Sequence, residues 1–501
     1  MADTKATPAS RLPLARVIVY ALGTLPVSVL GISIAVYLPP YLASHLGLGL
    51  VAIGGVWALV RLIDLGVDPL IGMLMDRTRT PFGRYRVWLA AGMPVLMFST
   101  YMLFMAPVGI GPAYLAVWLF ILYIGNSIMA LSHSAWRATL ATGYDERSRV
   151  FGIVTAVGVL AAVSALLAPI GAGALGLSSA QGVQAMGWMV IVGAPFAVGT
   201  CVWLTPERLT TDLKSDRFPL WDYWDIVKKP EMIRLVLSQA ALTLGPGWMS
   251  AMYIFTFRDV LGFTSSQSTI LLLIYVLAGV AGAPLTARFA THWSKHRALM
   301  AATTAYSLGL CTIFIFPKGS FLIGVPMMAW CGFMAAGFDL MVGAMMADVG
   351  DEIRLHQGKE RISLLYALTT LAAKVAGAVA IALTYPLLAR LGYHATEGAH
   401  NTVAAIHGLK LAFVLGPIVF VMLGGACFIG WKLDAQRHAG VRAALDARDA
   451  ELEAAALREV VAVTQAHVVL AAESEPDVPA LREAVPIPKE PVALAAEPGP
   501  G

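Results

Sequence analysis

The sequence predicts an all-α membrane protein, with twelve transmembrane helices arranged as two six-helix halves. Three observations carry that prediction. Hydrophobic residues make up 58% of the 501 residues and charged residues 13%, where a soluble domain carries about 25% charged; mean hydropathy is +0.72. Apolar segments long enough to cross a bilayer recur in two series of six, divided by one polar connection. Lys and Arg gather in alternate loops, which predicts a sidedness.

The first series covers about Arg16–Ala43, Leu50–Met75, Val87–Ala106, Pro112–Thr142, Val150–Leu177 and Gly187–Leu204. The second covers about Met232–Val260, Ser266–Ala287, Ala298–Phe316, Ser320–Ala347, Ser363–Leu391 and Thr402–Trp431. The predicted organisation is an N-terminal half at 1–206, a cytoplasmic linker at 207–230, a C-terminal half at 231–432 and a cytoplasmic tail at 433–501. Arg77, Arg79, Arg84 and Arg86 follow the second span, and Arg147 and Arg149 the fourth. Lys228 and Lys229 lie in the linker, Arg288, Lys295 and Arg297 follow the eighth span, and Arg354, Lys359 and Arg361 the tenth. The alternate loops are poor in charge, so both termini are expected in the cytoplasm. The start, MADTKATPASRLPLAR, is short and polar and reads as no secretory signal.

The halves echo each other. GMLMDRTRTPFGRYR after the second span corresponds to GAPLTARFATHWSKHR after the eighth, a glycine followed by a basic hairpin. Paired six-helix halves are a transporter architecture, with the substrate site between them near the midplane. Lys432 to about Val469 reads as a solvated helix of mixed charge, and Ala471–Gly501, rich in Pro and Ala, as disordered. The formal net charge of +4 gives no reason to expect a nucleic-acid partner. Cys201, Cys311, Cys331 and Cys427 sit in apolar segments without paired spacing, so no disulfide, metal or redox role is assigned to them.

The most informative stretch is RLIDLGVDPLIGMLMDRTRTPFGRYR, residues 61–86. Arg61, Asp64 and Asp68 stand inside an otherwise apolar span, and their spacing of three, four and seven puts them on one helical stripe. Each charge at the bilayer centre costs about 2.5–3.5 kcal/mol even on the lenient insertion scale. A buried ion pair joining two helices would use one Arg and one carboxylate, leaving the second carboxylate for a cation or proton. Pro69 cannot donate to the carbonyl of Leu65, which either kinks the helix or frees an oxygen beside the two carboxylates.

Three separated segments resemble one family. RLIDLGVDPLIGMLMDRTRTPFGRYR, SHSAWRATLATGYDERSR and MMADVGDEIRLHQGKERISLLYALTTLAAKVAGA, in that order, resemble the glycoside–pentoside–hexuronide:cation symporters, the melibiose-permease-like branch of the major facilitator superfamily. The resemblance spans roughly Val19 to Leu433. It implies a multi-pass protein of the bacterial inner membrane, working by alternating access. It also implies that Asp64 and Asp68 bind the coupling cation, with Ser127 on the fourth helix and Thr370 and Lys374 on the eleventh. A lysine near the carboxylates holds them ionised when no cation is bound. Lys374 lies eleven residues past Ser363, too deep for easy snorkelling.

The chain also departs from that family. Sodium-using members carry an amide where Val67 stands, and a hard cation needs several oxygen ligands, so the proton is favoured over sodium as coupling cation. No other cofactor is expected, and no metal ligand set is assigned. Ser28, Ala130 and Thr155 stand where the family has its sugar-binding aspartates and arginine, and Asn126 where it has a tyrosine. The candidate substrate contacts are therefore Ser28, Arg61, Asn126 and Asp339, the last inside CGFMAAGFDLMVGAMMAD, with Trp248 as a possible pocket wall after Gly245-Pro246-Gly247, read as interrupting the seventh span. Arg61 is also read as ordering the charged stripe. With Asp339 in the pocket, two positive charges would face three negative ones. Asp76, Arg77, Arg84 and Arg86 are expected to lock conformations through ion pairs, with Asp348, Asp351 and Glu352 in the equivalent place.

The expected function is symport of a sugar, glycoside or related small organic solute with a cation, in contact with a lipid bilayer. Symport of amphiphiles such as lysolipids is the alternative within that class, since the sugar acceptors are missing. A non-transporting membrane sensor is the alternative from another class, against which stands the lack of a recognisable output domain. An enzyme is not expected: no metal-ligand cluster or nucleophile–base spacing falls in the spans, and His133 and His407 are isolated.

Overall fold

The computed structural model describes residues 12–140, 144–207, 228–357 and 362–474, which are helical throughout apart from their connections. Two compact units emerge, Met1–Ala435 and Gln436–Gly501. In the first, α1 runs in pieces, Leu14–Leu22, Leu25–Ile32, a π turn at Ser33–Tyr37 and Leu38–His45. It is followed by α2 (Leu50–Arg77), α3 (Tyr85–Phe104), α4 (Pro112–Leu140), α5 (Tyr144–Ala174) and α6 (Ser179–Leu204). Then come α7 (Pro230–Phe255), α8 (Ser265–Trp293), α9 (Lys295–Cys311), α10 (Phe321–Gln357), α11 (Ile362–Arg390) and α12 (Val403–Ala426). The second unit is led by α13, which begins at the boundary (Ala435–Ser474).

Eleven of these helices are long and apolar enough to cross a membrane. The remaining one, α7, is 26 residues long, about 39 Å at 1.5 Å per residue, which also suffices. Twelve crossings return the chain to the face on which it began, here called the terminal face; the opposite one is the far face.

Side-chain caps set the starts of α6, α8 and α12. Helix α6 begins at Ser179, eight residues before the expected start, because Ser178 accepts from the Gln181 amide and Gln181 bonds back to Ser178, a capping box. Thr264 and Gln267 do the same for α8. The expected interruption of α7 at Gly245-Pro246-Gly247 is corrected: the helix runs through it. A Cβ on Gly245 would stand 2.6 Å from Val421 Cγ2, so this glycine serves close approach to α12. The irregular turn comes later, as a π turn at Thr256–Val260. Helix α12 stops at Ala426, short of the expected Trp431, with Gly430 left-handed (φ 71°).

The echo between the halves is looser than the residues suggested. Residues 78–84 form a true loop after α2, whereas α8 passes to α9 through Ser294 alone (φ 75°). The linker at 208–227, Lys359 and Arg361, and the tail from 475 lie outside the described residues. So does most of the stretch expected to be disordered; Ala471–Ser474 is helical.

The halves meet where α2 lies against α11 and α5 against α8. A Cβ on Gly54 would be 3.0 Å from Pro386 Cδ, and one on Gly173 would overlap Ser266 Oγ, so glycine lets each pair approach. Polar bridges between halves gather at the far face. Tyr37 donates to Thr269 Oγ1 (3.0 Å), Ser44 to the Ala395 carbonyl (2.8 Å), and Ser179 to Glu397 (3.1 Å). Arg258, paired with Asp259, donates to the Ala395 carbonyl (3.1 Å) and Ser44 Oγ (3.4 Å). His45 pairs with Glu397 at 3.3 Å. The α11–α12 loop thus lies as a strap across the ends of α1 and α6.

Candidate functional site

The charged stripe of α2 folds as its spacing predicts and meets α4 and α11. Asp64 is 2% exposed; its Oδ1 accepts from Ser127 Oγ of α4 at 3.4 Å, and its Oδ2 faces Arg61 Nη1 at 3.4 Å. The Arg61 guanidinium sits 4.2 Å over the Tyr123 ring, a cation–π contact that holds it on the α4 side. One turn on, Asp68 Oδ2 is bonded to Lys374 Nζ of α11. Asp68 Oδ1 is buried without a hydrogen-bond partner among the described residues.

The two carboxylates are therefore unlike. Asp64 is held within the N-terminal half by Arg61 and Ser127. Asp68 is held across the halves by Lys374 and keeps one unsatisfied oxygen, which is costly to bury. Around them two positive charges meet two negative ones, and the surplus carboxylate expected from Asp339 is not part of this cluster. Asp339, midway along α10, accepts instead from Gln239 Nε2 of α7 at 3.0 Å.

The other predicted residues fall at varied distances from the cluster. Thr370 is one turn before Lys374 but exposed, and no bond from it to either carboxylate is found among the described residues. Asn126 is half-buried beside Ser127, about 100° further round α4. Ser28 faces α5, its Oγ 3.1 Å from where a Cβ on Gly158 would stand. Trp248 is drawn into the α7–α12 contact, donating to the Ala412 carbonyl (3.0 Å) with its ring against Phe420; it is a packing residue there.

At the terminal face, Arg84 pairs with Asp76 and donates through Nε to the Met75 carbonyl (3.0 Å). Arg77 is exposed. Asp348 pairs with Lys295 Nζ at 2.6 Å, joining α10 to α9. Sequence reasoning missed Glu207, whose carboxylate accepts from the backbone N–H of Arg84 and Tyr85 (2.9 and 2.8 Å) and of Arg86 (3.1 Å). A carboxylate at a helix start meets unpaired donors and the positive dipole end. Gly83 (φ 117°) makes room for it, because a Cβ there would overlap Glu207 Oε2. It also missed Gln239, Arg258 and Tyr393, whose partners are remote in sequence. His133 is not isolated: it stacks on Tyr20 and contacts the Tyr20 carbonyl at 3.0 Å. No group of three metal-ligating side chains occurs among the described residues.

A cavity of about 770 Å³ opens near the far-face strap, lined by Tyr37, Tyr41, His45, Arg258, Ser266 and Glu397 among others. None of the predicted site residues lines it; the carboxylate cluster lies nearer the middle of α2, away from the strap.

Comparison with known proteins agrees with this architecture. The family described as MFS/sugar transport protein matches residues 19–435. The isoprimeverose transporter of Lactiplantibacillus pentosus is 23% identical over 80% of this chain and 85% of its own length. The sodium-dependent lysophosphatidylcholine symporter 1-B of Danio rerio is 22% identical over 87% of this chain and 90% of its own. Among solved structures, nucleoside transporter NupG superposes with a TM-score of 0.62 at 13% identity, covering 83% of this chain and 98% of that one, a likeness of fold.

Proposed function

The chain belongs to the MFS/sugar transport protein family and is a multi-pass transporter of small solutes, and we propose that it is a cation-coupled symporter of a sugar, glycoside or related solute. The single observation that carries the coupling reading is Asp68: bonded to Lys374 across the halves, with its other oxygen buried and unpartnered. A proton or cation taken up there competes with Lys374 and loosens α2 from α11, which couples occupancy to rocking of the halves. Asp64, steadied by Arg61 and Ser127, supplies a second acceptor beside it. Protonation needs only the Asp68 carboxylate, whereas a hard cation draws on several oxygen ligands and Val67 contributes no side-chain oxygen. The proton is therefore the favoured partner. The loop charges support cytoplasmic termini, and the inner membrane is the expected location.

The same cluster would serve an amphiphile symporter, a reading favoured by Ser28, Ala130 and Thr155 in place of sugar-binding charges. Uptake into proteoliposomes of labelled isoprimeverose, lactose and lysophosphatidylcholine, under an imposed proton or sodium gradient, tests both. Sugar accumulation under a proton gradient, abolished in Asp68→Asn, is expected. Accumulation with sodium alone would reject the proton assignment, and lysolipid movement without sugar would establish the amphiphile reading.

A further inference from the structure

The seam between α7 and α10 carries a second polar group, set apart from the ion-paired cluster. Gln239 Nε2 donates to Asp339 Oδ1 at 3.0 Å and to Thr243 Oγ1 at 3.2 Å. An ionised carboxylate only accepts, so the amide nitrogen must face Asp339. An amide nitrogen has two hydrogens, and these two bonds use both. What these two bonds leave over is the Gln239 carbonyl oxygen and the second Asp339 oxygen, two acceptors on neighbouring helices with no bond found among the described residues. Asp339 is exposed although it lies in the middle of a 37-residue membrane helix. A carboxylate at that depth is expensive unless it faces a polar cavity or a partner.

We infer that Gln239 and Asp339 form an acceptor-only pair that selects solutes presenting two adjacent hydroxyl donors, a vicinal diol. This deepens the proposed function and rests on it. Gln239 is a specificity-determining residue: its bond to Asp339 orients the carboxylate, and its bond to Thr243 fixes which face of its own amide the solute meets. A site built to accept from a hydroxyl discriminates against the analogue that lacks it, because an acceptor facing the solute is then left unpaired.

The test is binding to the full chain in detergent by titration calorimetry, with isoprimeverose, lactose and uridine as diol probes. Each is paired with its monodeoxy analogue, and lysophosphatidylcholine and an amino-sugar analogue complete the panel. For the probe that binds wild type, removal of one diol hydroxyl is expected to weaken binding about tenfold or more. In Asp339→Asn and in Gln239→Leu that penalty should fall below about threefold, the two variants unfolding near the wild-type temperature. A purely structural role would weaken parent and deoxy probes equally. Sugar binding with the deoxy penalty unchanged in both variants overturns this inference alone. Amino-sugar binding more than tenfold tighter than the parent diol also overturns it, making Asp339 an ion-pair partner. No binding by any diol probe overturns it too, and lysophosphatidylcholine binding in their place overturns the sugar reading as well.

Discussion

Removing Lys374 while keeping Asp68 should destabilise the protein more than removing both. Asp68 is 19% exposed and Lys374 31%, and Asp68 already has one oxygen unpartnered. Lys374→Met keeps most of the stem and leaves a carboxylate with neither oxygen bonded. Breaking a buried pair from one side costs about 3–5 kcal/mol; partial access to water places this one near the lower end, at about 3 kcal/mol. Asp68→Asn with Lys374→Met removes both charges, and its loss should be about 1 kcal/mol. The interaction energy from the four-protein cycle is then about 2 kcal/mol or more. Unfolding midpoints of wild type, both single variants and the double variant in one detergent measure it. A Lys374→Met loss below about 1 kcal/mol, the range of an exposed pair, would refute the reasoning. So would single losses that simply add in the double variant. In proteoliposomes the double variant should equilibrate solute across the membrane yet fail to accumulate it against a gradient, because the group that senses occupancy is gone.

Other consequences follow from the packing and the loop contacts. Glu207→Gln should lower stability by about 1–2 kcal/mol, since a charged acceptor for three N–H groups becomes a neutral one; thermal unfolding reads this, and no change would mean the cap is carried by water. Gly83→Ala should cost more than Glu207→Gln, as it both strains a left-handed residue and displaces the carboxylate. Gly332→Ala should impair folding most, because its Cβ would overlap the Tyr275 carbonyl oxygen, backbone that no rotamer change can move; normal expression and unfolding temperature would contradict the α8–α10 contact. Glu397→Gln should loosen the far-face strap by weakening its contacts to His45 and Ser179. Thiol labelling of a Tyr41→Cys variant from that side should then speed up, and an unchanged rate would argue that the strap does not hold the halves together.

Much of the architecture was legible from local pattern. Runs of about 20–30 apolar residues broken by Gly, Pro and charge mark spans, because lipid demands that each crossing satisfy its own backbone. The α2 stripe was legible too, since Arg61, Asp64 and Asp68 are placed by helical period alone. Gly245-Pro246-Gly247 misled for the same local reason: as a string it reads as a break, but in the fold the glycine admits Val421 and the helix continues. The partner of the next residue, Trp248, whose indole N–H is satisfied by α12, is likewise set by packing and not by local pattern.

By itself, then, the sequence determined the order of the apolar helices, the family resemblance and the common stripe of Arg61, Asp64 and Asp68. Only the tertiary structure decided partners: that Asp68 meets Lys374 306 positions away, that Asp339 belongs with Gln239 100 positions earlier, and that Glu207 closes the start of α3. The division has a physical cause. Helical period and hydropathy act over a few turns of one segment, whereas an ion pair or hydrogen bond is settled by which helices pack together, and that depends on glycine-lined contacts distributed over the whole chain.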